Sequence, residues 1–134
     1  MKKKILLFEP NGTLRNTLLE QLSLNRDFDV NEVGTFEGIE YQLNKSSFDL
    51  IIMGTDREAY RFTSIVQFIK KVKIKELVLF VIEAETVAPS FFGDNTEKYY
   101  FIEKPLRIKH LNKKISTTLA KISNSNGVAH KIGP

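Results

Sequence analysis

The residues of this chain that could do chemistry are few, and they stand just after runs of apolar residues. Glu9, Asp56 and Glu83 are carboxylates, and Lys104 is an ammonium that needs an anionic partner. A pair such as Glu9 and Asp56 could hold a cation. Other chemistries drop out. With no cysteine there are no disulfides and no thiolate metal sites. His110 and His130 stand alone, one on a helix face and one near the end of the chain, so neither suggests catalysis or a metal site. Glu9 to Thr13 contains a single glycine, too few for a phosphate-cradling loop. No Ser-His-Asp constellation can be argued from spacing. Neither a metal nor a cofactor is expected.

These residues must be positioned by the elements that precede them. Lys4 to Phe8, Phe48 to Met53, Leu77 to Ile82 and Tyr99 to Ile102 are short apolar runs bounded by turn residues. Such runs read as strands buried on both faces. Phe28 to Val33 is a weaker strand. Between them the period changes. Leu14, Leu18 and Leu22 share one helical face, with Asn11 or Thr13 able to cap the helix. A short helix carries Phe36, Ile39 and Leu43, and Tyr60 to Lys71 carries Phe62, Ile65, Val66 and Ile69. Pro89 and Gly93 make any helix within Glu83 to Lys98 short or irregular. The last helix carries Ile108, Leu111, Ile115, Leu119 and Ile122 on one side.

Five strands alternating with helical segments describe a doubly wound α/β sheet, with right-handed crossovers placing helices on both faces. In such sheets the functional crevice lies at the carboxyl ends of the strands. The residues that matter are then Glu9-Pro10, Gly54-Thr55-Asp56, Ile82-Glu83 and Lys104-Pro105.

The chain has 134 residues, room for one ordinary domain, and 42% of them are apolar, enough for a core. Residues 1–122 read as that domain and residues 123–134 as a flexible tail or linker. Met1 to Leu7 is too short for a signal-peptide core, and no stretch approaches the ~20 apolar residues of a membrane span. A reducing cytoplasm is the expected location. The net charge of +4 favours acidic partners in general without identifying nucleic acid.

Three blocks, in this order and at this spacing, resemble the response-regulator receiver family. Lys4 to Arg15 (KILLFEPNGTLR) looks like its first strand, acidic corner and first helix. Phe48 to Gly54 (FDLIIMG) resembles the strand that ends in the phosphoacceptor aspartate. Tyr100 to Leu106 (YFIEKPL) is similar to the strand with a Lys-Pro signature. The resemblance spans roughly residues 3–122 and implies a five-stranded parallel sheet of order 2-1-3-4-5. It also implies a site that has lost its parts. Gly54 stands at the phosphoacceptor, and Pro10 replaces one of two metal-binding acids. The response hydroxyl falls on Ile82, or on Glu83 if the alignment slips by one, while Phe101 takes the aromatic switch position. Glu9, Lys104 and Pro105 are retained.

The resemblance therefore implies a phosphorylation-independent pseudo-receiver that works through protein contacts and is not an enzyme. Two alternatives stay open: an atypical receiver using Asp56 and Glu9 around a metal, and a small-ligand sensor in the crevice opened by Gly54. With Gly54 in place of an acid, Lys104 is expected to pair with Glu9 directly or through water, and Asp56 to be a turn residue. The Lys104–Pro105 peptide is expected to be cis. The implied partner face comprises Phe91, Phe92, Tyr99, Phe101 and the basic residues Arg107, Lys109, Lys113 and Lys114. An acidic signalling protein or a second copy of the chain would suit it. A basic cluster at Lys70, Lys71, Lys73 and Lys75 lacks any groove-entering element, so direct nucleic-acid binding is not expected.

Overall fold

The computed structural model describes residues 2–83 and 98–132. In chain order the elements are β1 (Lys3–Phe8), α1 (Gly12–Ser23), β2 (Phe28–Val33), α2 (Phe36–Lys45), β3 (Leu50–Gly54), α3 (Phe62–Val72), β4 (Val78–Ile82), β5 (Tyr99–Glu103) and α4 (Ile108–Ile132). The strands form one parallel sheet in the order β2-β1-β3-β4-β5, as expected.

The unbroken apolar runs have a plain cause. Successive strand residues point to opposite faces, and here both faces are covered. Leu6, Phe8, Ile51, Met53, Phe80 and Ile82 face the layer containing α2 and α3. Ile5, Leu7, Leu50, Ile52, Leu79 and Val81 face α1 and α4. At the edge, β2 buries only Phe28 fully, which accounts for its weak apolar signal.

Local signals start the helices. The Asn11 side chain accepts the Leu14 N–H at 3.0 Å, and the Thr35 hydroxyl accepts that of Gly38 at 3.1 Å. Each satisfies a donor that the first helical turn leaves open. Differences from the sequence reading lie at the boundaries. The helix expected from Tyr60 begins at Phe62, because Tyr60 belongs to the preceding turn: its N–H and C=O both bond to Asp56. β3 extends to Gly54, which pairs with Val81. Residues read as a linker after Ile122 carry helical backbone as far as Ile132. Ser and Asn are weak helix formers and Gly127 a poor one, but with no proline before Pro134 nothing breaks the helix outright once it is nucleated upstream. The irregular segment expected after Glu83, with Phe91 and Phe92, lies outside the described residues.

Candidate functional site

Parallel strands end side by side, so the residues that follow them meet. Glu9 follows β1, Thr55 and Asp56 follow β3, Glu83 follows β4 and Lys104 follows β5. They line an open crevice of about 470 Å³ with Asn11, at the head of α1, and Arg57.

Glu9 is the buried charged residue of this crevice, 2% exposed. Its carboxylate lies over Gly54. A Cβ on Gly54 would collide with Glu9 Oε1, and would lie 3.0 Å from its Cδ and 3.3 Å from the Phe8 carbonyl oxygen. The absent side chain at the end of β3 is thus compensated by a carboxyl group from β1. Glu9 Oε2 accepts the Asn11 N–H at 2.9 Å. Burial raises the pKa of this carboxyl above the ordinary range; the Asn11 hydrogen bond and the Lys104 charge oppose that rise without cancelling it. From below, Arg15 donates to the Glu9 carbonyl at 2.7 Å and pairs with Glu32 at 2.9 Å. Its guanidinium lies so close to Gly34 that a Cβ there would meet it.

Lys104 does not pair with Glu9. Its ammonium donates to the Thr55 carbonyl oxygen at 2.6 Å and lies 3.3 Å from Glu83 Oε1. Glu83 also receives Arg57 at 3.3 Å. The expected direct ion pair is corrected for a reason of register. Ile82 and Glu103 are the last partners of β4 and β5, so Glu83 and Lys104 emerge next to each other. Glu9, at the end of β1, is already engaged three strands away from β5. The sequence alone did not show this: Glu83 directly follows the last apolar residue of β4, but Lys104 stands one residue further, after Glu103, and only the register Ile82↔Glu103 brings the two into step.

Asp56 is held in its turn. Its Oδ1 accepts the N–H groups of Glu58 at 2.9 Å and Tyr60 at 2.8 Å, and its own N–H donates to the Tyr60 carbonyl. The Tyr60 ring packs edge-on against Phe8, 5.2 Å between centroids, which ties the turn to the core. Thr55 is buried and its hydroxyl donates to the Val81 carbonyl at 2.9 Å. Ile82 and Pro105 do not line the crevice. Ile82 points into the α2–α3 core, 4% exposed, as strand alternation requires. The Lys104–Pro105 peptide is cis.

The residues of the second expected face are divided. Phe101 stacks on Phe80 at 5.3 Å and lies 6.2 Å from Phe62, so this ring is packed inward on its strand. Burial raises the pKa of the Tyr99 phenol. Phe101, Ile102 and Glu103 line the β5 side of a groove of about 420 Å³ whose α4 wall includes His110, Lys113 and Lys114. Arg107 and Lys109 are exposed outside it.

A magnesium ion, which the resemblance would bring, does not fit these donors. Pro10 offers no side-chain ligand, Glu9 is buried with a raised pKa, and Asp56 Oδ1 is committed to two amides. Hard divalent cations need several free oxygens.

The chain matches no protein-family model and no curated protein. Its fold does match solved structures. A CheY-like response regulator receiver domain protein from Methanospirillum hungatei superposes with a TM-score of 0.75 at 17% identity, covering 93% of this chain and 99% of that one. A receiver domain protein from Clostridium thermocellum gives 0.69 at 18%, covering 90% and 97%. An adenylate cyclase from Rhodopirellula baltica gives 0.75 at 18%, covering 98% and 99%. Likeness at such identities is likeness of architecture, and the architecture of this chain is that of the response-regulator receiver domain.

Proposed function

We propose that this chain is a pseudo-receiver: a receiver fold that serves signalling through protein contacts, without phosphorylation and without catalysis. One observation carries the reading. The end of β3 has no nucleophile, and the space its side chain would fill is taken by the Glu9 carboxyl group. Phosphoryl transfer to a carboxylate needs that oxygen free, aligned and charge-compensated. Glu9 is buried and has a raised pKa, and the lysine that would meet the incoming phosphoryl group is held by Glu83 and the Thr55 carbonyl. Asp56, the other acid in reach, spends one oxygen on its turn. The contact surface we assign is the β5–α4 face, with Phe101, Ile102 and Glu103 on the β5 side and the basic Lys113 and Lys114 on the α4 side. A cytoplasmic signalling protein with an acidic surface suits it.

The test is to incubate the protein with millimolar Mg²⁺ and a small-molecule phosphodonor, then determine its intact mass. No added phosphoryl group is expected. A stable, acid-labile gain of one phosphoryl group would overturn the proposal.

A further inference from the structure

Charge is unevenly distributed over this molecule. At the end of the sheet opposite the crevice, strand starts and helix ends gather lysine. Lys70 and Lys71 lie in the last turn of α3, Lys73 caps that helix, and Lys75 lies in the turn into β4. Lys3 begins β1 and Lys98 immediately precedes β5. All six are exposed. Four acids stand at the same end and offset part of this charge: Asp27 and Asp29 are exposed at the start of β2, Asp49 accepts the Lys4 N–H at 2.7 Å and Glu76 the Lys75 N–H at 3.1 Å. The six lysines outnumber them and leave this end net positive.

Helix capping accounts for only part of this cluster. Lysines in the last turn of α3 complement the negative end of the helix dipole. Lys3, Lys75 and Lys98 have no such role. Lys73 has a φ of 59°, a left-handed conformation where glycine is the usual occupant, so a charge is held there against local conformational preference.

Among the described residues, the large apolar side chains that stand most exposed flank the same end. Leu24, 75% exposed, follows the last residue of α1. Tyr41, 61% exposed, lies one turn before the end of α2, with the Lys45 ammonium 5.6 Å from its ring.

We propose that this end of the molecule docks on an anionic lipid surface. The lysine ammonium is a compact point charge, suited to a diffuse negative surface. The planar fork that reads single phosphates or bases belongs to arginine. Among the described residues this end is built from strand starts and helix termini, with α4 continuing to Ile132, and no helix-turn-helix or other groove-entering motif accompanies the lysines. Lysine combined with exposed leucine and tyrosine is the composition that binds a bilayer interface: the charges attract, and the apolar groups enter the headgroup boundary. The crevice, at the other end of the sheet, would then face away from the membrane.

Sedimentation with vesicles tests this. At about 0.1 M salt, where the Debye length is ~10 Å, the protein is expected to sediment with phosphatidylserine-containing vesicles and not with pure phosphatidylcholine ones. Near a charged membrane each lysine contributes roughly a fivefold factor, so neutralising Lys71, Lys75 and Lys98 together to Gln is expected to weaken binding about a hundredfold. The control Arg107→Gln/Lys109→Gln, at exposed positions at the head of α4, is expected to lose much less. Failure of the unaltered protein to distinguish the two vesicle types overturns the proposal, whatever the variants do. So does equal weakening by the control, or tighter binding to a short DNA duplex than to the anionic vesicles.

Discussion

Glu9 and Gly54 act as one unit, and their chemistry can be tested one residue at a time. Gly54→Ala would put a methyl group onto the Glu9 carboxylate, with the Phe8 carbonyl oxygen 3.3 Å behind it. We expect a loss of about 1–3 kcal/mol, as for overpacking in a filled interior. In a Glu9→Ala background the same substitution should be nearly neutral. A coupling of about 1–3 kcal/mol in the double-mutant cycle, measured by urea unfolding, would establish the contact; additive losses would show that the two do not touch. The pH dependence follows from burial. Because the folded-state pKa of Glu9 is raised, its contribution to stability is fully present below the unfolded value of 4.5 and is lost as pH rises through the folded value. Glu9→Gln removes that ionisation and keeps the shape. The variant should match the parent near pH 4 and exceed it in denaturation midpoint at pH 7. An equal difference at both pH values would count against the assignment. Gly54 was legible in the sequence, through the receiver resemblance, as standing at the phosphoacceptor position. That Glu9 fills the space was not, because it depends on how β1 and β3 lie against each other.

At the scale of elements, the strand register decides the partner of Lys104. β4 and β5 end in step, so Glu83 and Lys104 leave the sheet together, and the Thr55 carbonyl at the end of β3 completes the contact. Three strand ends are thereby joined by one side chain. Arg57 reaches the same Glu83 from the β3–α3 turn, but its side chain is 70% exposed. An exposed pair of this kind contributes about 0–1 kcal/mol. We therefore expect Arg57→Met to change the unfolding free energy by less than about 0.5 kcal/mol. Lys104→Met should lower it by about 1–2 kcal/mol, since a short charge-assisted bond to a backbone carbonyl is also lost. Urea titrations of the two variants, side by side, check the order; a larger loss for Arg57→Met would reverse our ranking. The helices were more legible than this contact. Asn11 and Thr35 announce α1 and α2 because capping is local, whereas Tyr60 carried an apolar ring at helical spacing and belongs to the Asp56 turn.

At the scale of the whole molecule, the sheet separates two ends of different character. The carboxyl ends of the strands hold buried and paired charges around a crevice, and the amino ends hold exposed lysines. No helix among the described residues is long and apolar enough to cross a membrane, so a bilayer could be met only at its surface by these residues. The topology itself follows from pattern. Apolar runs without alternation require cover on both faces, and parallel strands joined by helices supply it through right-handed crossovers. Phe8 and Phe80, both fully buried, show how completely that cover is achieved on the α2–α3 face.

By itself the sequence determined the class of fold, the order of its elements, and which residues come to the carboxyl edge of the sheet. Each of these rests on periodicity and on turn or capping chemistry, which act over a few residues. It also showed that a side chain is missing at Gly54, since a residue type needs no coordinates. Only the tertiary structure decided what replaces it. The Glu9 carboxyl over Gly54, the Glu83–Lys104 pair and the lysines at the opposite end each join residues distant in the chain. Such contacts depend on ångström-scale register between strands and on which groups find a partner first, and one-dimensional spacing carries neither.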